Sequence, residues 1–162
     1  MQTLEGSQAA AGVRIAIVVA RFNDFVTERL LVGALEALEA AGVEPSDQTV
    51  LRVPGSFELP IAAQRAAETG RFDAVVALGC LIRGATPHFE YIAQSVSQGL
   101  TAAAAATGVP IAFGVLTTNS AEEALERVQP GPANKGYEAA QAAVEMATLL
   151  VRLGDATSGV DA

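Results

Sequence analysis

The chain predicts a three-layer α/β/α sandwich around a four-stranded parallel sheet, and three observations lead there. Four short runs rich in Val, Ile, Leu and Ala are nearly continuous in apolar residues, as strands buried on both faces require. Between them lie stretches with apolar residues at helical spacing, long enough for right-handed βαβ crossovers. The length of 162 residues, with 51% hydrophobic and 17% charged, suits one domain with a proper core.

Val13 to Ala20 is β-branched and reads as the first strand. After Arg21-Phe22-Asn23, Asp24 is placed to cap a helix whose Val26, Leu30, Ala34, Leu35 and Leu38 share a face, and Gly42 ends it. Thr49 to Val53 is the second strand, and Pro54-Gly55-Ser56 leads into a helix from Glu58 to Thr69 closed by Gly70. Ala74 to Ile82 is the third strand. The following helix runs from Thr86 to Thr107, with Thr86 as N-cap, Pro87 at its first position and Gly108 at its end. Ile111 to Leu116 is the fourth strand. Ser120 and Glu123 form a capping box for a helix to Val128. Pro130, Gly131 and Pro132 break the chain, and Tyr137, Ala140, Val144, Ala147 and Val151 mark a last amphipathic helix. The order of elements is flavodoxin-like. Residues 1–12 are read as an N-terminal arm, able to add a strand to a neighbouring chain's sheet edge, 13–153 as the α/β domain, and 154–162 as a flexible tail.

The formal net charge of −8 and the absence of a basic tract argue against nucleic acid or an anionic membrane as partner. An anionic substrate would need a local cluster of cations and backbone N–H groups. One Cys and one His exclude an internal disulfide and a His/Cys zinc cage within one chain. The first residues lack a basic region followed by an apolar one, and no apolar run is long enough to span a bilayer, so a cytoplasmic protein is expected.

In such a sheet the loops at the carboxyl ends of the strands build the site. They carry Phe22 and Asn23 after the first strand, and Ser56, Phe57 and Glu58 after the second. Cys80, Leu81, Ile82, Ala85, Thr86 and His88 follow along the third strand and its exit, and Phe113 begins the stretch at the fourth. Aromatic rings beside a carboxylate and backbone amides suit a planar heterocycle with N–H and C=O edges. The helix start at Thr86 offers free N–H groups to an anion. His88, the only histidine, is the side chain suited to moving protons near neutrality. Each residue also has a plainer reading: Phe113 as core, His88 as a surface residue, Arg127 and Lys135 as solvated charges. The alanine-rich 101–106 stretch fits close packing, either within the domain or against other chains. No GxGxxG follows the first strand, no GxxxxGK[ST] is present, and no acidic pair ends that strand.

Taken together, five segments resemble the lumazine synthases, which carry out the penultimate step of riboflavin biosynthesis. They are Arg21-Phe22-Asn23, Val53 to Pro60, Gly79 to Tyr91, Phe113 to Thr117, and Asn134-Lys135-Gly136. The resemblance covers residues 13 to 153, and the third segment is its most specific part. It implies condensation of 5-amino-6-ribitylaminouracil with 3,4-dihydroxy-2-butanone 4-phosphate to 6,7-dimethyl-8-ribityllumazine, phosphate and water, with no cofactor. Phe22 would stack on the pyrimidine with Asn23 beside it, while Ser56, Phe57 and Glu58 hold the ribityl chain and Cys80, Leu81 and Ile82 meet the ring edge. Ala85, Thr86 and Arg127 would bind phosphate, His88 would move protons, and Phe113 and Lys135 would complete the site. The resemblance further implies pentamers, with Phe113 and Arg127 supplied by a neighbouring subunit. Ala85 departs from the acidic or polar residue usual there, leaving only its backbone N–H to act. The 129–133 turn is short; insertions there go with isolated pentamers, so its length points to a sixty-subunit icosahedral shell, able to enclose a riboflavin synthase. A non-catalytic lumazine- or flavin-binding protein, or a shell-forming protein, is the competing reading at this point.

Overall fold

A computed structural model of the chain describes residues 1–158. Four strands, β1 (Ile15–Ala20), β2 (Gln48–Val53), β3 (Ala74–Ile82) and β4 (Ile111–Thr118), pair in the order β2-β1-β3-β4, all parallel. The helices are α1 (Asp24–Ala40), α2 (Leu59–Glu68), α3 (His88–Thr107), α4 (Ala121–Glu126) and α5 (Lys135–Ser158). Alternation along β1 sorts the two cores. Ile15, Ile17 and Val19 face α1, α4 and α5, whereas Ala16, Val18 and Ala20 face α2 and α3. The expected flavodoxin-like three-layer sandwich is the observed one.

The chain leaves β1 through α1 on one face and β3 through α3 on the other. The crevice between the carboxyl ends of β1 and β3 is therefore the topological switch point of the sheet. The pairing continues past β1: Arg21 N–H donates to Val53 O at 2.8 Å and Phe22 N–H to Pro54 O at 3.0 Å. These bonds carry Phe22 out beside the 54–58 turn.

Two close approaches fix α1 against α5. A Cβ on Gly136 would lie 2.0 Å from Leu30 O, and one on Gly33 would lie 2.3 Å from Asn134 Oδ1. Asn134 is buried and caps α5: its Oδ1 accepts from Gly136 N–H at 2.8 Å and Tyr137 N–H at 3.3 Å, while Nδ2 donates to Arg29 O at 3.1 Å. Lys135 is thereby held at a defined place at the start of that helix.

Several element ends differ from the sequence expectation. α3 starts at His88, Pro87 occupies the cap position and Thr86 makes no capping bond, because the chain leaves β3 through an irregular 83–87 segment that bends at 85 and 86 and turns at 87. Asp24 is the first helical residue of α1 rather than its cap. β4 continues to Thr118, since β-branched Thr117 and Thr118 extend the ladder opposite Leu81 and Ile82. A 3-10 turn, Ser56–Glu58, precedes α2. Ser120 does accept from Glu123 N–H, at 3.2 Å, but the returning Glu123 carboxylate takes the Asn119 N–H at 2.9 Å.

Residues 1–12 form no strand. Ser7 N–H donates to Thr148 Oγ1 at 2.8 Å, that hydroxyl approaches Ser7 O at 3.1 Å, and Arg152 donates to Glu5 O at 2.6 Å, so the arm lies along α5 of its own chain. α5 runs unbroken through Gly154 to Ser158, into the segment read as a tail; residues 159–162 lie outside the described residues. No helix among the described residues is long and apolar enough to cross a membrane.

Candidate functional site

All of the expected site residues except Cys80 and Ala85 fall into two cavities on one chain. The first, about 520 Å³, opens at the switch point and is lined by Phe22, Asn23, Ser56, Phe57, Glu58, Leu81, Ile82, Thr86 and His88. Phe22 is 69% exposed and Phe57 60%, an unusual cost for two aromatic rings unless something covers them. Asn23 holds the turn in the left-handed region, at φ 60°, where asparagine is among the few tolerated side chains. Its Nδ2 donates to Cys80 O at 2.9 Å, tying the β1 exit to β3. The expected pyrimidine contact Asn23 is thus partly committed to the fold. Glu58 is also fixed, since its Oε2 accepts from Gly55 N–H at 3.0 Å. Ser56 is buried, and only glycine at 79 leaves it room: a Cβ there would lie 2.5 Å from Ser56 Oγ.

Cys80 does not line this cavity. Its side chain is fully buried in the core beneath α1 and α5, and burial pushes its thiol up to about 11; of the expected trio only Leu81 and Ile82 line the cavity. The 84–86 segment is exposed, and the N–H groups of Gly84, Ala85 and Thr86 have no hydrogen-bond partner among the described residues. Three unpartnered donors leading into the first turn of α3 are a ready anion site. Ala85 sits on that segment outside both cavities.

The second cavity, about 410 Å³, lies along β4 and the start of α5 and gathers Phe113, Arg127 and Lys135. Arg127 NH1 donates to Glu123 O at 2.8 Å, and Lys135 Nζ pairs with Glu138 Oε2 at 2.8 Å. No residue lines both cavities. Phe113 pairs with Ala77, five residues below the Ile82–Thr118 pair at the carboxyl edge, which is roughly 16 Å along the strands. It stands on the open edge strand, 51% exposed, and cannot swing to Phe22 of its own chain.

Glu138, Phe89 and Ile92 belong to these cavities and were not singled out from sequence. Spacing offered a signal for two of them: Glu138 stands three residues beyond Lys135, and Ile92 one helical turn beyond His88.

Residues 12–151 match the family model described as 6,7-dimethyl-8-ribityllumazine synthase. A curated protein of Syntrophus aciditrophicus (strain SB) bearing that same name is 54% identical over 146 residues, which is 90% of this chain and 95% of the relative.

Proposed function

The chain belongs to the 6,7-dimethyl-8-ribityllumazine synthase family and is a transferase of riboflavin biosynthesis, and on that premise we propose that its active site is assembled from the two cavities, one from each of two neighbouring copies. The reaction condenses 5-amino-6-(D-ribitylamino)uracil with 3,4-dihydroxy-2-butanone 4-phosphate, giving 6,7-dimethyl-8-ribityllumazine, phosphate and water. Both substrates are small molecules. The observation that carries the shared-site reading is the separation of Phe22 and His88 from Phe113 and Arg127 on one chain.

In this reading the pyrimidine stacks on Phe22 in the cavity at the switch point, and its ribityl chain runs past Phe57 to the fixed Glu58 carboxylate. Phe113 of the neighbour covers the ring from the other side, where an exposed aromatic is otherwise unexplained. Phosphate meets the free N–H groups of Gly84, Ala85 and Thr86 from one copy and Arg127 from the next. On a chain of net charge −8, this local set of donors and cations is what an anionic substrate requires. Lys135, held by the Asn134 cap, sits near the shared boundary with Glu138.

Imine formation, phosphate loss and ring closure each need protons moved between neighbouring nitrogen and oxygen atoms. His88, on the first turn of α3 at the rim of the cleft, is placed to carry them. Holding both reactants in one closed pocket supplies the larger part of the rate, of order 7–11 kcal/mol for well-oriented partners. His88→Ala is therefore expected to slow turnover by ~10²-fold without abolishing it. Steady-state formation of the lumazine product, followed by its absorbance, checks this; unchanged turnover would remove His88 from the mechanism. The 13–153 unit carries the reaction in the cytoplasm, and the short 129–133 turn favours pentamers built into a sixty-subunit shell around a riboflavin synthase. Sedimentation or negative-stain microscopy decides the assembly size. Nothing favours a non-catalytic protein, whether a lumazine or flavin binder or a purely structural shell.

A further inference from the structure

We propose that Arg83 is a positioning residue for the phosphate half of the site, acting through the segment that carries Ala85, Thr86 and His88; this rests on the placement of phosphate argued above. That segment needs a tether. It joins Ile82 of β3 to His88 of α3, and residues 83–88 are exposed, so packing does not hold it. Among the described residues its backbone bonds outside the helices and strands lie at its ends, Arg83 N–H to Thr118 O at 2.8 Å and Tyr91 N–H to Pro87 O at 3.5 Å.

The Arg83 side chain supplies three further ties. Its guanidinium pairs with the Glu90 carboxylate, lies over the Phe89 ring at 4.5 Å, and donates through Nε to Asn119 Oδ1 at 3.0 Å. Phe89 and Glu90 belong to the first turn of α3, next to His88, whereas Asn119 follows β4. One planar fork thus pins the start of α3 to the end of the edge strand, a task a flexible ammonium cannot repeat.

Asn119 is itself anchored, because its N–H donates to Glu123 Oε2 at 2.9 Å and Glu123 O accepts from Arg127 at 2.8 Å. The contacts therefore run continuously from the anion-binding segment to the phosphate cation of the same chain, whose cavity serves a different site. Arg83 is committed to protein partners, so its effect on phosphate is indirect.

The measurement is the KM for each substrate, together with inhibition by inorganic phosphate, in Arg83→Met, Arg83→Lys and Glu90→Gln. Releasing the segment should raise the KM for the four-carbon phosphate and weaken phosphate inhibition by ~10- to 100-fold, the scale of a small misplacement. The KM for the pyrimidine should stay within about twofold, which a general loss of structure would not spare. Lysine should not rescue, and Glu90→Gln should weaken phosphate in the same direction. If Arg83 instead touched phosphate directly, lysine would partly restore binding and Glu90→Gln would tighten it; either result overturns the proposal, as does unchanged phosphate affinity in all three variants. Arg127→Met run in parallel separates the two readings, since normal phosphate affinity there would refute the site itself rather than the tether. Where Arg83→Met fails to fold, Glu90→Gln alone decides.

Discussion

Co-expressing two crippled variants tests whether the site is shared between copies. His88→Ala disables the cavity at the switch point, and Arg127→Met disables the one along β4. Loss of a positioned proton carrier lowers turnover by ~10²–10⁴-fold. Loss of the cation leaves a phosphate oxyanion unpaired, about 2–5 kcal/mol, or roughly 30- to several-thousand-fold. Each parent should thus retain at most a few per cent of wild-type activity. In a head-to-tail ring every site takes one cavity from each neighbour, and an equal random mixture gives four combinations, of which one has both halves intact. Mixed oligomers isolated through two different affinity tags should recover about one quarter of wild-type activity, some tenfold above their parents. If both cavities of a chain served one site, every site would carry a lesion, and the mixture would stay at the mean of its parents. That result would refute the shared site.

Three further outcomes follow from the fold. The buried Cys80 thiol keeps its proton to about pH 11 in the folded chain, whereas an exposed thiol ionises near 9.0. Its stabilising contribution is therefore complete below that value and falls by about 2–3 kcal/mol as pH rises to 11, a loss that Cys80→Ala should remove from the alkaline slope of urea midpoints. Thr27 is fully buried with its hydroxyl unpartnered, so Thr27→Val should raise stability by about 1 kcal/mol in denaturant unfolding, and a loss would mean the hydroxyl has a partner. Gly136→Ala drives a Cβ against Leu30 O and should cost about 3 kcal/mol or prevent folding; a near-neutral melting shift would mean α1 and α5 can slide apart.

The architecture was legible because each strand is an apolar run and each helix carries its own period, both local signals. The Phe22, Phe57 and His88 cavity was legible for a related reason: parallel strands bring all their carboxyl ends to one edge, so naming the strands names the loops. The sequence was silent where the deciding contact is distant along the chain. Asn23 is occupied by Cys80, 57 residues away, and the arm is held by Thr148, 141 residues from Ser7. The resemblance carried Cys80 along with Leu81 and Ile82; strand alternation assigns its side chain to the face opposite Leu81. Phe113 is the sharpest case. Its position in an apolar strand left core as an even alternative to a place in the site, and the core reading assumes β4 has neighbours on both sides. β4 ends the sheet, and the ring is left exposed on that edge strand. Composition and period cannot report which strand is last, because strand order is decided by crossovers rather than by any residue within the strand. The function of Phe113 hangs on that order: in the shared-site reading the unpaired edge is what frees the ring to cover a substrate bound by the next copy.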